Sequence, residues 1–383
     1  MQANTFIVKL VFAAGSLVPV LAHAGAEYPY RVTVLQPFTP GQGSGVGTLI
    51  NNYGLICGMQ SRPPQGFCYY RGVITELQPL PGHMYTVPSG LNDLGQVVGV
   101  SYAAEGPRRA VIFVNGAARE LAVASRSESG AGDINNLGQI VGALSDVPGE
   151  SLAFVSWLGI VRELGTLGGP RRVDGASSIN DRGQIVGAVS QPGTPAENGY
   201  QVAFLYDKGK MRALPTPAGS TSNAAKINLL GQVVGSVHDT VTGQTRPVLW
   251  QKGRMKVLVD QPGDARDINV LGQVVGGLHE RTGGFLYRPS TGARDVNELI
   301  DPMSGYTIVY PQAINDRQQI VGFGCKELLC GPVLLDPVHP KAETAGVACG
   351  RRGHDERRAV DSVQPGACGR PPAVNPARQS ASR

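Results

Sequence analysis

Ile134-Asn135-Asn136-Leu137-Gly138-Gln139-Ile140-Val141-Gly142 decides how this chain folds. The same nine-residue pattern starts at Leu91, Ile179, Ile227, Ile268 and Ile314, and a looser copy starts at Ile50 with Leu55 in the glutamine place. Aligned on its first asparagine, the pattern falls at Asn51, Asn92, Asn135, Asn180, Asn228, Asn269 and Asn315, spaced 41, 43, 45, 48, 41 and 46 residues apart. Asn-x-x-Gly between apolar residues is a tight hairpin. The asparagine side chain accepts from the backbone two residues on, and the glycine takes the left-handed conformation that closes a type I turn with a G1 bulge. In the seventh copy Gln318 holds the glycine place. That costs roughly 1–2 kcal/mol if the geometry is kept. The last glycine of each copy lies inside a strand, where it marks a bulge or a close backbone approach.

Two further strand-like runs follow each hairpin, for example Gln201–Tyr206 and Met211–Leu214 around the turn Asp207-Lys208-Gly209-Lys210. Each unit thus has four short strands, A to D, and four antiparallel strands every 40 to 45 residues or so make a propeller blade. The fold class expected is all-β: a seven-bladed β-propeller. The seventh copy supplies strands A and B (Ile314 to Phe323) and strand C (Pro332 to Leu335), then runs out. The spare run Tyr30–Leu35 precedes the first copy and is expected to complete the last blade, closing the ring and removing its exposed edges. A solenoid is the runner-up.

Composition agrees. Glycine (52) and proline (28) make up about a fifth of 383 residues, and 16% are charged, which excludes a coiled coil, a collagen and a charged disordered chain. Residues 1–26 read as a signal peptide: Lys9, an apolar run too short to span a bilayer, then Ala22-His23-Ala24. From residue 341 the chain turns rich in Arg, Pro, Ala and Gly, with eight basic and four acidic residues, and is expected to be disordered. The body, 27–340, sums to about zero charge, so no nucleic-acid surface is expected.

The hairpins, together with Glu163-Leu164-Gly165-Thr166-Leu167-Gly168-Gly169 and Asp295-Val296-Asn297-Glu298-Leu299-Ile300-Asp301-Pro302, resemble the bacterial extracellular HAF-repeat family over about Tyr30 to Pro337. Leu152-Ala153-Phe154 and Val202-Ala203-Phe204 keep the last two residues of the triplet that names it. The resemblance implies export and a repeat β fold, and no particular activity.

Six cysteines behind an export signal permit disulfides. Cys57 lies on strand B of blade 1 with Cys68 at the start of strand C, and Cys325 and Cys330 flank the equivalent connection of blade 7. Both pairs are expected to bridge adjacent strands where the ring closes; Cys349 and Cys368 pair with each other or with nothing. His238 and His279 occupy one place in consecutive blades, but no third ligand recurs, so no metal is expected. The recurring glutamine (Gln96, Gln139, Gln184, Gln232, Gln273, Gln319) is either a repeated ligand contact or a side-chain bond to its own or a neighbouring turn; its lock to the turn favours the second. Asp93, Asp181 and Asp316 suit turn chemistry. No nucleophile elbow, phosphate loop or zinc spacing occurs, and no cofactor is expected.

Short A–B and C–D turns leave on one face, and the longer, dissimilar B–C and D–A connections on the other. Variable loops on a rigid scaffold are where binding resides, which makes Tyr102, Arg108, Arg109, Arg171, Arg172, Tyr200 and Tyr306 the candidate ligand contacts. The expectation is a secreted or periplasmic, monomeric, non-enzymatic binding propeller for a glycan, an envelope component or a protein. The alternatives are a polysaccharide hydrolase or lyase with its site at the channel, and a purely structural surface module.

Overall fold

A computed structural model describes residues 28–35, 45–61, 64–123, 127–147, 149–168, 174–191, 200–280, 282–327 and 329–338. The expected signal segment, the tail, Cys349, Cys368, Arg171 and Arg172 lie outside them. The described chain is a seven-bladed β-propeller of four-stranded antiparallel sheets. Blade 1 runs Gly45–Ile50, Ile56–Ser61, Pro64–Tyr70 and Val73–Glu76 as strands A to D; blades 2 to 6 repeat the order. Blade 7 has A at Tyr306–Ile314, B at Ile320–Lys326 and C at Leu329–Pro337. Its fourth strand is Tyr30–Val34, antiparallel to C with Val32 opposite Leu335. The spare first strand thus closes the ring. The core lies between adjacent blades: Val186 and Leu205 of blade 4, for instance, pack with Ile227, Val233 and Trp250 of blade 5.

The repeated turn has the geometry its sequence implies. The Asn92 N–H donates to the Gln96 carbonyl and the Gly95 N–H to the Asn92 carbonyl, each at 3.1 Å, with Gly95 at φ 76°. Gln318 keeps the same conformation at φ 65°, while its side-chain oxygen accepts from Gln273 Nε2 at 2.9 Å. Relief of the strain outweighs that part-exposed bond. Gln318→Gly is therefore expected to raise stability by about 0.5–1 kcal/mol in urea melts; a destabilised variant would contradict the strain argument.

The turns also fasten the blades to one another. Each asparagine Nδ2 donates to the backbone carbonyl of the next blade's asparagine, Asn51 to Asn92, Asn92 to Asn135 and onward, until Asn315 donates back to Asn51 at 3.0 Å. Seven such bonds, 2.9–3.1 Å long, form a closed circle. In blades 2 to 7 the same Nδ2 also donates to the glutamine Oε1 four residues on. The asparagine Oδ1 accepts the backbone N–H at that position. The recurring glutamine is thus a turn-bracing residue.

Two disulfides staple the blades on either side of the closure, Cys57–Cys68 in blade 1 and Cys325–Cys330 in blade 7, each joining directly opposed residues of strands B and C. Cys68 sits within strand C, not at its start, because strands B and C of blade 1 stay paired as far as Ser61 and Pro64.

Candidate functional site

Strand A lines the axis in every blade and carries a bulge three residues before the turn asparagine, at Thr48, Ser89, Gly132, Ser177, Ala225, Arg266 and Gln312. A bulge re-aims side chains. Three of these residues bond across to the next blade: Ser89 Oγ donates to the Ala131 carbonyl at 2.5 Å, Ser177 Oγ to the Ala224 carbonyl at 2.6 Å and Arg266 Nη1 to the Pro311 carbonyl at 3.4 Å.

The next position holds the channel's chemistry. In blades 3 to 6 it reads Asp133, Ser178, Lys226, Asp267. One oxygen of buried Asp133 accepts from Ser178 Oγ at 2.8 Å, Lys226 Nζ at 2.9 Å and the Ile179 N–H at 3.2 Å. Asp267 accepts from the Ile268 N–H on one oxygen and from the Ile314 N–H of blade 7 on the other, both at 2.9 Å. Burial alone would lower the Lys226 pKa, but the carboxylates of Asp133 and Asp267 outweigh it and hold the ammonium above its ordinary value. For Asp267 burial wins: its pKa is pushed up to about 6, against the pull of Lys226 and the two N–H donors. Asp133, Lys226 and Asp267 line an axial cavity of about 330 Å³ that reaches the turn tips Asn52, Asp93 and Asp316.

The raised Asp267 has a signed consequence. The folded state holds this proton more tightly than the unfolded chain, whose value is 3.8. Its contribution to stability is therefore full below about pH 4, falls as pH rises through about 6, and is flat above. Asp267→Asn is expected to remove that slope from urea melts taken between about pH 4 and pH 7; an unchanged slope would show that the carboxyl titrates normally.

Of the sequence-nominated contacts, the described ones, Tyr102, Arg108, Arg109, Tyr200 and Tyr306, lie on the opposite face and only partly converge. Tyr102 ends strand B of blade 2. Its ring lies 5.1 Å from that of Tyr85, centroid to centroid, and the Arg108 guanidinium stands 5.6 Å from its centroid. Arg109 opens strand C beside them and pairs with Glu120 at 3.5 Å. Tyr200 on blade 4 accepts from the Gln191 N–H through its carbonyl. Tyr306 opens strand A of blade 7, with Lys326 Nζ 5.2 Å from its ring centroid. His238 bonds Thr245 at 3.0 Å, and His279 approaches Asp264 at 3.4 Å.

Reading along the chain missed the channel group. Its signal is a column: aligned on the turn asparagine, the position two residues earlier reads Leu49, Gly90, Asp133, Ser178, Lys226, Asp267 and Ala313. Three charges at one place in otherwise apolar strand ends mark residues that face one another across an axis.

No protein-family model matches the chain, and no curated protein does. Solved structures do. Virginiamycin B lyase from Staphylococcus aureus is 14% identical, with 81% of this chain and 99% of that one covered at a TM-score of 0.51. A streptogramin B lyase is 12% identical, with 82% and 100% covered at 0.52. The β-propeller domain of the Trilobed protease from Pyrococcus furiosus is 10% identical, with 76% and 96% covered at 0.51; it is described as having an open velcro topology, whereas here Tyr30–Val34 pairs with the last blade. At these identities the likeness concerns the propeller fold alone.

Proposed function

We propose that the protein is an exported, monomeric, non-enzymatic binding propeller that takes a glycan on its B–C/D–A face. The observation that carries this reading is the group formed by Tyr85, Tyr102 and Arg108: two tilted aromatic rings and a guanidinium, all part-exposed or exposed, at the edge of a rigid blade. Aromatic faces stack on the apolar faces of sugar rings, and arginine and tyrosine are the usual anchors of binding surfaces. The polar groups of the opposite turns support it, because the asparagine circle and its glutamines are consumed by the fold. Two strand-bridging disulfides support an exported address. The test is a glycan array followed by calorimetry on the best hit. Tyr102→Ala and Arg108→Ala are each expected to weaken binding about tenfold with the melting temperature unchanged. Undiminished binding in both variants, or an array with no hit, would overturn it.

Asp267 favours one other reading, a polysaccharide hydrolase or lyase working in the channel, since a carboxyl titrating near 6 suits a general acid. Turnover of a defined glycan, abolished by Asp267→Asn and kept by Tyr102→Ala, would select it.

A further inference from the structure

The tips of the short turns mix polar residues with exposed apolar ones. Residues two after the turn asparagine include Tyr53, Leu94, Leu137, Leu230 and Leu271, all exposed. The C–D hairpin of blade 3 presents Trp157, Leu158 and Ile160, which are 52%, 83% and 74% exposed. A–B and C–D turns leave on the same face, and among the described residues that face holds eleven of the eighteen exposed large apolar side chains. Patches of that kind mark interaction sites.

Leu158 adds a second observation. It sits at φ 51° and is followed by Gly159 at φ 80°, the two left-handed positions of a two-residue hairpin. Such hairpins favour asparagine or glycine first, as blade 2 has with Asn115-Gly116. A leucine there is strained and contacts water, so neither folding nor solubility explains it.

Charge indicates the occupant. The same turns carry exposed Arg71, Lys208, Lys210, Lys252 and Arg254 on the C–D side and Arg182 and Arg317 on the A–B side. The carboxylates of these turns, Asp93, Asp181, Asp316 and Asp207, are outnumbered seven to four by those cations, and each accepts from a neutral amide, of Asn52, Asn136, Val270 and Gln184 respectively. Aliphatic and aromatic tips thus project from blades 1, 2, 3, 5 and 6, densest on blade 3, beside lysines on blades 4 and 5. A second copy meeting this face would set cations against cations. An anionic bilayer surface accepts both halves, apolar tips in the headgroup boundary and cations on the lipid phosphates.

We infer that the A–B/C–D turn face docks on anionic membrane, with Trp157, Leu158 and Ile160 entering the interface. The opposite face then points away from the lipid, and the inference stands whether or not that face binds a glycan.

The chain has two tryptophans. Trp250 is buried, 1% exposed, so a change in emission reports Trp157. The full chain is mixed with vesicles of phosphatidylglycerol and phosphatidylcholine, or of phosphatidylcholine alone. Co-sedimentation and a blue shift are expected with the mixed vesicles, at least about tenfold more weakly with the neutral ones. Replacing Trp157, Leu158 and Ile160 together by serine, or Lys208 and Lys252 together by glutamine, is expected to weaken capture about tenfold. The basic tail is present in every variant, so these differences read the face. Leu158→Asn is the control for folding: it is expected to raise the melting temperature while weakening capture. Four results would overturn the inference: no blue shift, equal capture by neutral vesicles, undiminished capture of the serine or asparagine variant, or a dimer in sedimentation analysis that those substitutions abolish. The last would give the face to a second copy.

Discussion

Gly187→Ala is expected to cost about 4 kcal/mol or more and to leave little folded protein at 37 °C. Gly187 closes the fourth hairpin. It stands opposite Ala176 on strand A, beside the bulge, and opposite Phe204 on strand C. A Cβ there would overlap the Gly175 carbonyl oxygen and lie 2.9 Å from the Ala176 Cα. Both obstacles are backbone within a sheet, so neither can rotate away. The requirement is steric, not conformational, and it recurs: Gly142 faces the Gly130 carbonyl and Gly235 the Asn223 carbonyl. It also explains the Ala-Phe pairs, because Phe154 and Phe204 lie across from Gly142 and Gly187 and are fully buried. The control is Gly209→Asn in a C–D turn, where a Cβ meets nothing within 4 Å; it should cost no more than about 1 kcal/mol. Urea melts read both, and a Gly187→Ala loss within about 1 kcal/mol would mean that the sheets yield where they are expected to be rigid.

Asp133→Ala is the second large effect, a loss of about 3 kcal/mol at neutral pH. Asp133 is 2% exposed and gathers three donors from the next two blades around the axis, Ser178 and the Ile179 N–H of blade 4 and Lys226 of blade 5. Removing it leaves an ammonium and two neutral donors without that acceptor. The lower end of the usual range applies because the Lys226 side chain keeps 30% of its exposure and Asp267 remains on the same axis. Pairing the change with Lys226→Met removes the orphaned charge, so the double variant should recover about half the loss or more. A single variant as stable as the parent would mean that the channel charges are solvated as if at the surface.

The fold was legible because its determinants are local and reiterated. Asn-x-x-Gly fixes a turn from four residues, and the closing glycine marks a close approach within the same hairpin. Cys57 and Cys68, and Cys325 and Cys330, are cross-strand neighbours only 11 and 5 residues apart. Even the closure by Tyr30–Val34 follows from counting strands. The channel was not legible in the same way. Asp133, Lys226 and Asp267 meet across blades, and each alone looks like an ordinary strand-end charge. The asparagine circle was half legible: the bond within each turn follows from the motif, but the bond to the next blade spans 41 to 48 residues, or 264 at the closure, and needs the ring to exist. The turn-tip leucines were hidden by their position, since they fill the variable places of a pattern defined by its constant ones.

Hydrogen exchange on the amides of Tyr30–Val34 tests the closed ring most directly. With that strand paired to Leu329–Pro337, its ladder-bonded amides should exchange as slowly as those of strand C in the same blade, and only on global unfolding. Exchange there at the rate of a free peptide, with the other blades still protected, would mean that the ring is not closed by its first strand.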